Sequence, residues 1–137
     1  MKEINEYVAE SCSIIVNSCD KYKDIWPIFF SCFYEQWPEC KVDIYLNTES
    51  ESFEYRDLKL VKIENDSRKK MAWGGRFIDV LHLIKHKYVI CLYDDFLIES
   101  KVDISQINSC IHWMETNDDI AVFFINHIGR CIVLLAM

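Results

Sequence analysis

The sequence predicts an α/β protein, a three-layer α/β/α sandwich around a mainly parallel central sheet. Three observations carry that expectation. Short apolar runs of strand length alternate with longer segments whose apolar residues recur at helical spacing. Two of the runs, 13–16 and 88–93, are apolar almost throughout, as central parallel strands covered on both faces must be. With 137 residues, 51% of them hydrophobic, the chain can build one core and one domain over 1–137.

The first strand, 13–16, runs into the polar stretch Asn17-Ser18-Cys19-Asp20, a functional-looking loop. A helix follows over 24–37. Trp26, Phe29, Phe30, Phe33 and Trp37 form its stripe, Asp24 is placed to cap it, Pro27 is tolerated in its first turn, and Pro38 ends it. Residues 42–46 alternate apolar and polar, a second strand. The polar connection 47–51 leads to a third strand over 58–63. After Asn65-Asp66-Ser67, the segment Trp73-Gly74-Gly75-Arg76 opens a second helix. It is expected to bury Phe77, Val80, Leu81 and Ile84 and to present Arg76, Asp79 and Lys85 on the other side.

The fourth strand is 88–93. A third helix over 103–116 starts with Asp103 and Gln106 at capping-box spacing and carries the stripe Ile104, Ile107, Ile111 and Met114. Strands at 120–125 and 131–136 complete a Rossmann-like order, β-α-β-β-α-β-α-β-β. The strands near Ile15 and Ile90 are expected to be neighbours at the sheet's centre. The apolar end, 132–136, suggests a fold that continues and an edge that a homo-oligomer would cover.

Composition narrows the function. A net charge of −7 argues against a nucleic-acid partner, which needs a basic surface. The triplet Arg68-Lys69-Lys70 is the local exception, either a solvated turn or a site for a polyanionic diphosphate. Cys12, Cys19, Cys32, Cys40, Cys91, Cys110 and Cys131 are scattered without zinc spacing and read as small buried hydrophobes in a reducing cytoplasm. No apolar run approaches the ~20 residues of a membrane span, so a soluble protein is expected. His82, His86, His112 and His127 form no triad or ligand cluster and read as surface or packing residues.

The most informative stretch is Tyr93-Asp94-Asp95-Phe96, where an apolar strand stops at two adjacent carboxylates. Such a pair beside a buried strand needs a cation or an ion pair, unless it is a solvated acidic turn. Ligands of open α/β sheets bind at the carboxyl ends of strands, which favours a metal or nucleotide site.

Ser13-Ile-Ile-Val-Asn-Ser-Cys-Asp-Lys-Tyr22, Trp73-Gly-Gly-Arg-Phe-Ile-Asp79 and Tyr93-Asp-Asp-Phe96, in that order, resemble the nucleotide-binding half of a GT-A type glycosyltransferase. The likeness is to bacterial enzymes of surface polysaccharide synthesis and covers about residues 12–117. It implies a partial GT-A fold cut short at its C-terminal end, a nucleotide-diphosphate sugar as donor and a saccharide or lipid-linked saccharide as acceptor. It also implies Mn²⁺ or Mg²⁺ as cofactor, and hexosyltransferase-like activity if the acceptor half is present.

By the same resemblance Asp95 is the first choice of metal ligand, with Asp94 making a second contact to the metal or to ribose. Tyr93 stands where the family's acidic motif has its first Asp. Arg76 pairs either with the diphosphate or, on its own helix, with Asp79. Asp20 and Tyr22 line the base pocket, and Trp73 flanks the base or joins the core. Asn17 belongs to the nucleotide loop or satisfies strand-end backbone groups, and Asp79 lies on the helix facing the site. Gly74-Gly75 admits a ligand closely or merely joins loop to helix. Besides an active transferase domain, the residues allow a non-catalytic remnant or an α/β interaction module without metal.

Overall fold

Strand β1 (Cys12–Asn17) runs through the middle of the protein with all six residues buried. In the computed structural model, which describes residues 2–119 and the backbone of 122–127 and 130–136, β1 lies between two parallel neighbours. They are β2 (Asp43–Asn47) and β4 (Tyr88–Tyr93), with Ile15 in register with Tyr45 and Cys91. Strand β3 (Leu60–Val61) extends the parallel set beyond β2. Beyond β4 the antiparallel pair β5 (Val122–His127) and β6 (Arg130–Ala136) completes a six-stranded sheet ordered β3-β2-β1-β4-β6-β5. The expected central pairing of the segments around Ile15 and Ile90 is therefore present.

Two cores of unequal size sandwich the sheet. On one face Ile14, Val16, Ile44, Leu46, Ile90 and Leu92 pack beneath α1 (Lys2–Ser11), α2 (Trp26–Gln36) and α4 (Ile104–Thr116). On the other face Ile15, Tyr45, Val89 and Cys91 meet Val80 and Ile84, from α3 (Trp73–Leu83) and the residue after it. Helix α2 buries Trp26, Phe29, Phe30 and Phe33, spaced to fall on one side. Burying one such side chain stabilises by roughly 1.5–3 kcal/mol, ample to offset the modest helix propensity of aromatics. The stripe of α4, Ile104, Ile107, Ile111 and Met114, is buried as expected, and Asp103 Oδ1 accepts the Gln106 N–H at 3.0 Å.

Four local expectations need correction. The chain preceding β1 is helical. Val8 of α1 is buried, and Tyr7 stacks on His112 at 5.0 Å while donating to Glu115 at 2.7 Å, so docking on α4 supplies what ten residues lack alone. Helix α2 is preceded by Ile25, which makes no side-chain cap, so Asp24 does not cap it; Pro27 in its first turn needs no partner for an N–H. The third strand shrinks to Leu60–Val61 because it pairs on one side only, and the flanking Lys59 and Lys62 are exposed. Finally, β6 lies between β4 and β5, so the terminal apolar run is not the sheet's edge; β5 is.

No helix among the described residues is long and apolar enough to cross a membrane. Cys12, Cys40 and Cys91 are buried, and burial pushes their thiols up to about 12, 12 and 11, as inert packing residues require. Cys131 and His127 have side chains outside the described residues.

Candidate functional site

Adjacent parallel strands β1 and β4 release the chain side by side at their carboxyl ends. From β1 the chain passes through α2 to β2 on one side, whereas β4 is reached through α3 on the opposite face. Divergence of this kind leaves a crevice in an open α/β sheet. A cleft of about 550 Å³ opens there, and Asn17, Tyr22, Trp73, Arg76, Asp94 and Asp95 all line it. These are six of the eight residues singled out from the sequence.

One wall is acidic. Asp94 and Asp95 are the middle of a turn closed by the Phe96 N–H donating to the Tyr93 carbonyl at 3.1 Å, and the Asp94 N–H reaches the Asn17 carbonyl at 3.3 Å. Asp95 is exposed, but Asp94 is only 6% exposed, so the solvated-turn reading fails for it. The Ser18 hydroxyl donates to Asp94 Oδ2 and accepts the Trp26 indole N–H at 2.8 Å. Burial raises the Asp94 carboxyl above its ordinary pKa and the neighbouring Asp95 charge adds to this, while the Ser18 hydrogen bond opposes both. Neither carboxylate has a basic partner among the described residues.

The rest of the lining includes donors. Arg76, expected on an exposed helix side, is 6% exposed. Its Nη1 donates to the Met71 carbonyl at 3.0 Å and its Nη2 pairs with Glu49 at 3.3 Å, not with Asp79. The start of α3 lies against the loop after β2, and this tertiary contact overrides the i, i+3 spacing. Arg76 Nε has no partner among the described residues. Asn17, 3% exposed, accepts the Asn47 amide at 3.0 Å through Oδ1, and its Nδ2 is likewise unpartnered. Its side chain therefore meets another side chain, not the strand-end backbone.

Behind these donors lies Arg68, the first residue of the basic triplet and only 2% exposed, while Lys69 and Lys70 are exposed. Arg68 donates to the Thr48 carbonyl at 3.2 and 3.3 Å, to the Arg76 carbonyl at 3.4 Å, and to the side chains of Asn47 and Asp79. It is a structural clamp across the ends of β2 and α3, neither a solvated turn residue nor a surface charge. Asp79 serves that clamp and does not line the cleft.

Asp20 also lies elsewhere. It accepts the Ser50 and Glu51 N–H groups at 3.2 and 3.0 Å and the Ser50 hydroxyl at 2.6 Å. Burial pushes its carboxyl upward, but these hydrogen bonds outweigh burial and hold it below its ordinary value. It thereby fixes the loop that carries Glu49, whose carboxylate accepts the Asp20 N–H at 2.6 Å.

Aromatic rings form the mouth. Trp73 is 48% exposed and stacks on Phe77 at 5.5 Å, which removes the core alternative, and Tyr22 and Tyr93 are exposed beside it. A side-chain Cβ at Gly74 would meet nothing within 4 Å, so packing does not require glycine there. Ser18 and Cys19 also line the cleft and were legible only as members of a polar run after a strand. His82 is exposed, His86 Nδ1 lies 2.6 Å from Ser13 Oγ, and His112 stacks on Tyr7; none of the three lines the cleft.

Among the described residues no three His, Cys, Asp or Glu side chains converge on a common point. A cation at Asp94 and Asp95 would therefore take its remaining ligands from water and from a bound anion. Mg²⁺ suits that donor set, because it is commonly held by one or two carboxylates plus phosphate oxygens. No protein-family model, curated protein or solved structure matches the chain.

Proposed function

We propose that the chain is a nucleotide-diphosphate-sugar-binding glycosyltransferase domain of the GT-A type, dependent on Mn²⁺ or Mg²⁺ and acting in the cytoplasm in bacterial surface polysaccharide synthesis. The observation that carries this reading is the meeting of acidic and donor side chains in one cleft at the sheet's switch point. Among the described residues Asp94 and Asp95 line the cleft without basic partners, and Asn17 and Arg76 line it with an unpartnered donor each. A cation with a diphosphate answers both sets at once. The first turn of α3 adds N–H groups of positive character to the donor side.

Charge supports the same pairing. Arg76 is matched by Glu49 and Arg68 by Asp79, so Asp94 and Asp95 remain in excess. A diphosphate alone is repelled by that excess, and a divalent cation reverses the balance. When bound, the cation neutralises charge developing on the departing diphosphate. The chain's own part is positional. Ser18 and Trp26 hold Asp94 in place, Asp95 supplies an exposed carboxylate, Arg76 faces phosphate, and the aromatic mouth of Tyr22 and Trp73 accepts the base.

A second reading, nucleotide-sugar binding without transfer, is favoured by the lining itself. Its carboxylates among the described residues are the two already assigned to the cation, which leaves none to deprotonate an acceptor hydroxyl.

Calorimetric titration with UDP, GDP and their sugars, with and without Mn²⁺, tests the proposal. Binding is expected to require the cation, and Asp95→Ala to abolish that requirement together with most of the affinity. Identical cation and nucleotide binding by wild type and Asp95→Ala would overturn it. Release of free nucleotide from the sugar donor, with or without added acceptor, separates the two readings.

A further inference from the structure

The polarity of the donor wall is set by a chain of side chains that begins at Arg68. A guanidinium has five N–H donors and no acceptor. Asn47, which meets Arg68, must therefore turn its Oδ1 toward it. Its Nδ2 is then committed to Asn17, 3.0 Å away, and Asn17 must receive it on Oδ1. What is left over is Asn17 Nδ2, a donor with no partner among the described residues on a side chain that lines the cleft and is 3% exposed. Neither amide can flip without setting two donors or two acceptors face to face. Arg76, 6% exposed, adds the unpartnered Nε to the same cleft. Two buried donors left open in this way demand an acceptor, since each costs free energy while unmatched.

We infer that Asn17 Nδ2 and Arg76 Nε form an oxyanion subsite for a phosphate oxygen of the cation-bound ligand, and that Arg68 and Asn47 are positioning residues that hold Asn17 in its donor orientation. This deepens the proposed nucleotide-sugar reading and rests on it for the cation. The subsite recognises the phosphate, not the base or the sugar. The ligand's anion is thus gripped by one neutral and one charged donor in the same cleft as the acidic pair.

The test uses the full chain with Mn²⁺ and inorganic pyrophosphate as probe, with UDP and uridine in parallel. Asn17→Asp preserves the acceptor for Asn47 and replaces the free donor by an oxygen. Asn17→Leu removes the same donor without adding charge. Both are expected to weaken pyrophosphate and UDP binding roughly tenfold or more, the scale of a hydrogen bond to a charged group, and to leave uridine unchanged. Asn47→Asp never touches the ligand. It keeps a partner for Arg68 but cannot donate to Asn17, whose amide must turn and offer Oδ1 to the cleft; a comparable loss is expected.

In ¹⁵N-labelled wild type the Asn17 side-chain amide resonance should shift on addition of pyrophosphate with diamagnetic Mg²⁺, a response that a purely structural role would not give. Loss in Asn17→Asp but not in Asn17→Leu would reduce the effect to added charge and overturn the inference, as would an unmoved Asn17 resonance or no pyrophosphate binding by wild type. If Asp95→Ala abolishes cation dependence while both Asn17 variants bind normally, the subsite fails and the nucleotide reading stands. If UDP and GDP do not bind but Mn²⁺-pyrophosphate does, with loss in both Asn17 variants, the nucleotide reading fails and the subsite stands.

Discussion

The two walls of the cleft solve the burial of charge in opposite ways. On the donor wall Arg68 is enclosed, carries an ion pair with Asp79, and spends its remaining N–H groups on two carbonyls and an amide. On the acidic wall Asp94 is nearly as enclosed, yet its carboxylate is held by the Ser18 hydroxyl and by the backbone of Asp94 and Asp95, with no cation among the described residues. An ion-paired buried charge is compensated within the fold, whereas a buried carboxylate with hydrogen bonds but no cation is costly to ionise. The difference makes Arg68 a structural residue, and under the proposed function it leaves Asp94 and Asp95 for the cation.

The strongest way to break that comparison is Arg68→Met. It leaves Asp79 and Asn47 without their partner inside the fold, and a loss of ~3–5 kcal/mol in urea denaturation is expected. A change below ~1 kcal/mol would show that Arg68 is not the clamp. Trp26→Phe comes next. It deletes the indole N–H that steadies Ser18, for a loss of ~1 kcal/mol with cation affinity falling alongside as Asp94 loses its fixed support. Unchanged cation affinity in a stably folded Trp26→Phe would detach Trp26 from the acidic wall.

The smallest effect is also the most discriminating. Burial raises the Asp94 pKa, so at pH between the ordinary aspartate value and the raised one the folded state binds more proton than the unfolded chain. Wild-type stability should then fall as pH rises from the ordinary aspartate value through the raised folded one. Asp94→Asn should lack that fall and match or exceed wild type at pH 7, by under ~1 kcal/mol. Thermal unfolding across pH 4–7 measures it, and a wild type that gains stability over that window in step with Asp94 ionisation would refute the assignment. Cation binding should reverse the dependence, because it favours the ionised carboxylate.

Much of the architecture was legible residue by residue. The stripes Trp26-Phe29-Phe30-Phe33 and Ile104-Ile107-Ile111-Met114 announce helices because helical spacing is a local property, and both lie in the core. The uninterrupted apolar run before Asp94 announced a central strand for the same reason. Helix α1 was not legible. Its Ile4, Tyr7, Val8 and Ser11 have helical spacing, but ten mostly polar residues are held by docking on α4 and the large core. Six of the eight candidate site residues converge on the cleft because each follows a strand end or opens the helix beside one. Asp20 and Asp79 do not, since the distant loop after β2 and a distant arginine claimed them first.

What the sequence by itself determined is therefore the elements from β1 onward, their order, and the carboxylate pair that closes β4, all consequences of neighbours along the chain. Which charges are buried, and against whom, was decided only by the tertiary structure. Arg68 reads as one of three equivalent basic residues, and Arg76 reads equally as a diphosphate contact or as the partner of Asp79 one helical turn away. Folding brings the loop after β2 against the start of α3, gives Arg76 to Glu49 and Asp79 to Arg68, and leaves Lys69 and Lys70 in water. Partner choice among charges depends on distance through space, and in this protein the sheet's parallel crossover sets those distances.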